Sequence, residues 1–229
     1  MKQLVARAIV LSRIDYGEAD RIITLLTPDA GKLRLMARGV RRPKSKLAGG
    51  IELFSVSDIT YIMGKGDLGT LISARLDRHY RHIVRDITRV QLGYELIKQL
   101  HKITEDNPEE DYFDLLQQSF AGLDSDLDTD IIRLWFLAQL LRLSGSSPNL
   151  ATDNQGRTLE VGVLYSFDFD SMAFDTHPSA QLSSAHIKVM RLLFNVTELA
   201  SLRQVQGISL LLPDVSPLLH TMRQNYLNI

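Results

Sequence analysis

Along the first eighty positions apolar residues recur mostly at every second place; after His82 they recur at every third or fourth. VARAIVLSRI (5–14) is rich in β-branched residues with partial alternation, and RIITLLT (21–27) stops at Pro28, where TPDAGK is a turn sequence. KLRLMARG alternates cleanly, with Leu33, Leu35 and Ala37 on one face and Lys32, Arg34, Met36 and Arg38 on the other. Such a strand is half-buried with a largely basic outer face. IELFSVSDITYIMG and TLISARLDRHY add two strands around the turn GKGD. Five strands with short turns suit a small closed or partly open barrel better than a sandwich.

The second part of the chain is helical by spacing. IVRDITRVQLGYELIKQLHKI, NPEEDYFDLLQQSFAGL, TDIIRLWFLAQLLRLSG and SSAHIKVMRLLFN predict four helices, the second capped by Asn107 with Pro108 in its first turn and the fourth capped by serine. Residues 151–180 read as irregular or weakly stranded, and the tail from Pro213 as a last helix. The expected division is a barrel domain over 1–81 and an all-α domain over 82–229, with an irregular insert at about 149–180. The fold class is therefore α+β.

Charge changes the picture more than composition does. The net charge is only -1, but residues 1–85 carry 16 Lys+Arg against 8 Asp+Glu, and residues 86–229 carry 10 against 19. A basic first part attracts polyanions such as nucleic acid; an acidic remainder repels them. The positive charge concentrates in ARGVRRPKSKLAGG, where Arg38, Arg41, Arg42, Lys44 and Lys46 fall within nine positions directly after the basic-faced strand. Exposed Arg and Lys neutralise phosphates and release counterions. Lys32, Arg34, Arg38, Arg41, Arg42, Lys44 and Lys46 are the candidate nucleic-acid-binding residues. The plain alternative for the run is a solvated loop. Tyr16 and Phe54 flank the region and are candidates for base stacking or for core.

Other motifs carry less. GKGDLG (64–69) matches G-x-G-x-x-G, but the residues after it alternate as a strand, so a hairpin turn is expected and not a dinucleotide site. DSDLDTD resembles the start of an EF-hand loop, yet Thr129 and Trp135 stand where the geometry needs Gly and Glu, so it reads as a linker capping the next helix. His79 and His82 are ordinary surface histidines by the same weighing, and no Ser/His/Asp set or carboxylate pair stands out. There is no cysteine, so no disulfide or thiolate metal site exists, which fits a cytoplasmic protein; no cofactor is expected. No apolar run is long enough for a membrane span, and the N-terminal stretch is too charged and too alternating for a signal peptide.

The stretch AIVLSRIDYGEADRIITLLTPDAGKLRLMARGVRRPKSKLAGGIELFSV resembles the opening of the bacterial RecO recombination-mediator family. The matching features in order are Tyr16-Gly17-Glu18, Asp20, Leu25-Leu26-Thr27, Gly31, Ala37-Arg38-Gly39, Arg41-Arg42, Lys44-Ser45, Leu47 and Gly50. The likeness is sharp over about 1–80 and looser beyond, in FLAQLLRLSGSSPNL and SSAHIKVMRLLF. It implies an N-terminal five-stranded OB-fold barrel followed by a helical domain. It also implies a non-enzymatic mediator that binds single- and double-stranded DNA, anneals complementary strands, and helps load recombinase on DNA coated by single-strand-binding protein. Implied partners are RecR and the acidic, apolar-ended C-terminal tail of single-strand-binding protein. Many members carry a four-cysteine zinc site where this chain has NLATDNQGRTLEV, so the chain resembles the zinc-less members, and 149–180 is expected to be held by packing. For the tail, an apolar pocket edged by cations is expected in the helical domain, with Arg133, Arg142, Lys188, Arg191 and Arg203 as candidates beside Leu134, Leu141, Leu192 and Leu202. The residues alone also admit two other readings: an RNA-binding OB module, since polyanion affinity does not reveal 2′-OH recognition, and a small nucleotide-acting enzyme, resting on GKGDLG alone.

Overall fold

The computed structural model describes residues 2–104 and 110–227. These form two compact units, Met1–Ser125 and Asp126–Ile229.

The first unit is built on five strands: β1 (Leu4–Tyr16), β2 (Asp20–Thr27), β3 (Gly31–Ala37), β4 (Ser55–Ile62) and β5 (Leu68–His79). They close a barrel in the order β1-β2-β3-β5-β4. All neighbours are antiparallel except β3 and β5, which run parallel over three pairs only, Arg34–Met36 against Leu68–Thr70. Alternation fills the interior with Ala6, Ala8 and Val10 from β1, Ile23 and Leu25 from β2, and Leu33, Leu35 and Ala37 from β3. A bulge in β1 between Val10 and Ser12 then reverses the side-chain parity. Beyond it Ile14 and Tyr16 face outward.

Helix α1 (Ile87–Ile103) comes after a 3-10 turn at Ile83–Arg85, and α2 is Glu110–Leu123. The last barrel strand ends at His79 and α1 begins at Ile87, while the compact unit runs on to Ser125. Asp86 caps α1, accepting from the Thr88 and Arg89 amides at 2.8 and 3.2 Å. The expected caps of α2, Asn107 and Pro108, lie outside the described residues. Phe54, in the left-handed region (φ 56), turns its ring out of the barrel. There it meets Tyr94 and Phe120 edge-on at 5.3 and 5.5 Å. It is 2% exposed and so belongs to the core. Gly93 permits the approach: a Cβ there would stand 2.5 Å from Phe54 Cε1. Outer-face residues Ile9 and Leu26 are buried although they lie outside the barrel interior, because α1 packs along β1 and α2 along β2.

The second unit centres on α3 (Thr129–Leu143), buried on nearly all sides and packed by α4 (Ser184–Asn195) and α5 (Ile208–Met222). Asp128 caps α3 as expected, accepting from the Asp130 amide at 2.9 Å. Buried Gln139 donates to the last-turn carbonyls of Leu193 and Phe194 at 2.7 and 3.0 Å, and the Trp135 indole donates to Val196 O at 2.7 Å. These bonds satisfy α4 carbonyls left free by the helix end. Ser183 and His186 form a capping box at the start of α4. The last helix departs from expectation. It begins at Ile208, not at Pro213, and runs through Pro213 and Pro217. Both prolines are exposed, while Ile208, Leu212, Val215, Leu219 and Met222 bury one face; that burial outweighs the lost backbone bonds.

Between α3 and α4 the chain is irregular except for the hairpin β6 (Ser166–Asp168) and β7 (Ala173–Asp175). An aromatic cluster of Tyr165, Phe167, Phe169 and Phe174 packs there with centroids 5.2–6.2 Å apart. Asp153, 4% exposed, clasps the loop ahead of it. Its carboxylate accepts from the amides of Gln155 (3.0 Å) and Arg157 (2.8 Å) and from the Arg157 guanidinium (2.7 Å). Packing and this clasp together hold the stretch that is cysteine-free.

Candidate nucleic-acid interface

The outer face of β1, β2 and β3 is half covered by helix and half open. At the boundary the Lys32 ammonium donates to the His101 carbonyl of α1 at 3.2 Å. That ammonium and burial both hold the His101 imidazole below its ordinary pKa, burial having the larger effect. Past Lys32, the register aligns Ser12, Thr24, Arg34 and Leu68 in one row, and Ile14, Ile22, Met36 and Thr70 in the next. Arg38 lies just past the end of β3.

The basic segment after β3 is anchored, not loose. Gly39 takes a left-handed conformation (φ 63), and its amide donates to Asp20 Oδ1 at 2.7 Å. The Arg41 amide donates to Ala19 O at 2.9 Å. Val40 and Ile51, both buried, pin the two ends. Turns closed by Arg42 N to Gly39 O (3.1 Å) and Ser45 N to Arg42 O (3.0 Å) shape the middle. The Asp20 carboxylate, at the start of β2, thereby fixes where the cationic loop leaves β3.

The seven candidate cations are not equivalent. Arg34, Arg38, Arg42, Lys44 and Lys46 are exposed, and none has a carboxylate partner among the described residues. Arg41 is exposed but sits 3.4 Å from Asp15 Oδ2 and also donates to Gly17 O. Asp15 accepts from Arg21 at 2.7 Å, and that bond, with Arg41 beside it, holds its carboxyl below the usual range. Lys32 is half-buried and committed to His101.

The five cations proposed for a protein partner separate in the second unit. Arg142 and Arg191 come together on one pocket of about 470 Å³ with Pro148, Leu150 and Phe194. The Arg191 Nε donates to Leu150 O, and the Arg142 Nε to Gln139 Oε1, each at 2.8 Å. Arg133 borders a different pocket of about 260 Å³ with Asp128 and Asp130. Arg203 pairs with Asp126, and Lys188 is exposed on α4 away from these linings.

The weaker motifs resolve simply. Gly64–Gly69 spans the β4–β5 hairpin, with no helix beginning there. His82 pairs with Asp124 at 3.4 Å. Among the described residues no group of three or more His, Asp or Glu is placed to hold a metal, and no helix is long and apolar enough to cross a membrane. The sequence reading missed Ile14, Ile22 and Met36 as one outward row.

A small closed barrel of OB type with a cationic outer face, followed by helices, fits the class of nucleic-acid-binding proteins. The family model described as Recombination protein O N terminal matches residues 1–80, and that described as Recombination protein O C terminal matches residues 65–226. A DNA repair protein RecO from Halalkalibacterium halodurans is 29% identical over 227 residues, covering 96% of this chain and 87% of that protein. Those from Rhodopirellula baltica and Desulfatibacillum aliphaticivorans are 36% and 32% identical over 62% and 66% of this chain, and 53% and 60% of their own lengths. The chain belongs to the RecO family of DNA repair and recombination proteins.

Proposed function

We propose that this protein is a non-enzymatic mediator of recombinational repair in the cytoplasm. It binds single- and double-stranded DNA on the open barrel face, anneals complementary strands, and assists recombinase loading on DNA coated by single-strand-binding protein. The observation that carries the reading is the set of five exposed cations without acid partners, held on a pinned loop and strand. A loop whose sole task was solubility would not need a dedicated carboxylate to fix its start. RecR is the expected protein partner. The tail of single-strand-binding protein is expected in the pocket flanked by Arg142 and Arg191: two guanidiniums suit carboxylates, and Pro148, Leu150 and Phe194 suit an apolar end.

The test is annealing of labelled complementary oligonucleotides, naked and coated with single-strand-binding protein. The protein should accelerate both reactions for DNA. Failure to accelerate either would refute the annealing role, and equal or greater acceleration for complementary RNA would transfer the assignment to RNA handling.

A further inference from the structure

We infer that Gln139, which does not itself line the pocket flanked by Arg142 and Arg191, is the positioning residue of that pocket: it holds the Arg142 guanidinium so that its two Nη groups, and not its Nε, meet a carboxylate of the ligand. The inference rests on the tail reading above and adds the residue that shapes its site. Gln139 is 2% exposed on α3 and lies behind the pocket wall. Its Nε2 donates to the carbonyls of Leu193, Phe194 and Val196 at 2.7, 3.0 and 3.3 Å. A carbonyl oxygen only accepts, so the amino side of the amide faces the end of α4 and Oε1 faces the other way. There the Arg142 Nε donates to it at 2.8 Å. Turning the amide over would set oxygen against three oxygens and the amino group against the Arg142 N–H. The end of α4 therefore dictates the orientation of the amide, and the amide dictates that of the guanidinium.

Arg142 and Arg191 are half-buried on one cavity, and neither has a carboxylate partner among the described residues. A guanidinium taken partly out of water without a counter-charge is costly, so the pair suits an anion supplied from outside the chain. Each has its Nε–H committed, Arg142 to Gln139 Oε1 and Arg191 to Leu150 O. What each still offers is the end-on fork of its two Nη groups, which matches one carboxylate. A lysine at 142 would keep the charge but has no planar fork and no Nε to leave with Gln139. Fixing the fork before the ligand arrives spares the ordering of a long side chain on binding.

The experiment is a double-mutant cycle on the full chain, read by fluorescence anisotropy of a labelled tail peptide of single-strand-binding protein, with thermal unfolding as the check on folding. Gln139→Met, close in volume but without the amide, should weaken the peptide about tenfold, the size expected for losing a bond to a charged group. In an Arg142→Ala background the same change should alter affinity by less than about twofold, because Gln139 acts through Arg142. Arg142→Lys, which disturbs no buried amide, should weaken the peptide about tenfold although the charge is kept. An equal loss from Gln139→Met in both backgrounds would show a merely structural role and overturn the inference. Wild-type affinity in a folded Gln139→Met variant, or in Arg142→Lys, overturns it too. No binding by the wild type, or equal binding by Arg142→Ala, refutes the tail reading itself, and the inference falls with it.

Discussion

Removing four cations, Arg38, Arg42, Lys44 and Lys46, by substitution to Ala should change how binding responds to salt more than it changes any structural property. All four are exposed and unpaired with acids among the described residues, so none contributes an ion pair whose loss would unfold the barrel. On a single strand each phosphate contact adds about 0.7 to the slope of log affinity against log salt, so four contacts add about 2.8. Between 50 and 200 mM salt that difference corresponds to about a fiftyfold narrowing of the gap between wild type and variant. Arg41→Ala alone should flatten the slope by less than the 0.7 of a full contact, because Asp15 already holds that guanidinium. The assay is anisotropy of a labelled oligo(dT) across a salt series, with thermal unfolding as the check on folding. An unchanged slope in a folded quadruple variant would show the segment to be merely solvated. A full-sized effect from Arg41 alone would refute the distinction drawn between paired and unpaired cations.

Other consequences are open to direct measurement. Gly93→Ala gains about 1 kcal/mol of helix propensity but presses a methyl into Phe54; overpacking costs about 1–3 kcal/mol, so urea unfolding should show a net loss of up to about 2 kcal/mol, and a net gain would disprove the tight contact. Burial pushes the Asp153 carboxyl up, but bonds from the Arg157 backbone and guanidinium and from Gln155 outweigh it and hold the group below its ordinary value. Its stabilisation is therefore complete above about pH 4 and is lost as pH falls further; Asp153→Asn should flatten the acid limb of stability against pH, leaving the part due to Asp15 and Asp168, both also held low. Charge reversal at Arg142 and Arg191 should abolish binding of the single-strand-binding-protein tail peptide to the full chain, whereas reversal at Lys188 should not; the opposite pattern would move the site. Chelator should leave the unfolding midpoint unchanged, and elemental analysis finding about one zinc per chain would contradict a fold held by side-chain packing.

The barrel was readable because half-buried strands alternate, and Leu33, Leu35 and Ala37 point inward as their spacing requires. The helices were readable from periodicity, and Asp128 and Ser183 from their capping chemistry. What escaped was set by contacts distant in sequence. The bulge at Val10/Ser12 has no local signature, yet it decides that Ile14 and Tyr16 face solvent. Pro213 signals a helix boundary locally, but one apolar face across both prolines overrides it. Among the candidate cations, the run of Arg and Lys gave the location, while the sorting of Arg41 from Arg42 depends on Asp15 of another strand. The pairing of Arg142 with Arg191 depends likewise on α3 meeting α4.

The parallel seam between β3 and β5 bears on how the barrel assembles. The β1–β2 and β2–β3 hairpins join neighbouring segments, so their closure entropy is small. The seam joins Arg34–Met36 to Leu68–Thr70 across the basic segment and all of β4, and it offers only three pairs in return. Non-local pairings of this kind form late and open early. Amide exchange at this seam should therefore be the fastest of the barrel's ladders. The strand that carries Arg34 and Met36 is then fixed on its β2 side and only lightly fastened on its β5 side, so a ligand lying across both strands would act as a clasp on the barrel seam with the fewest pairs.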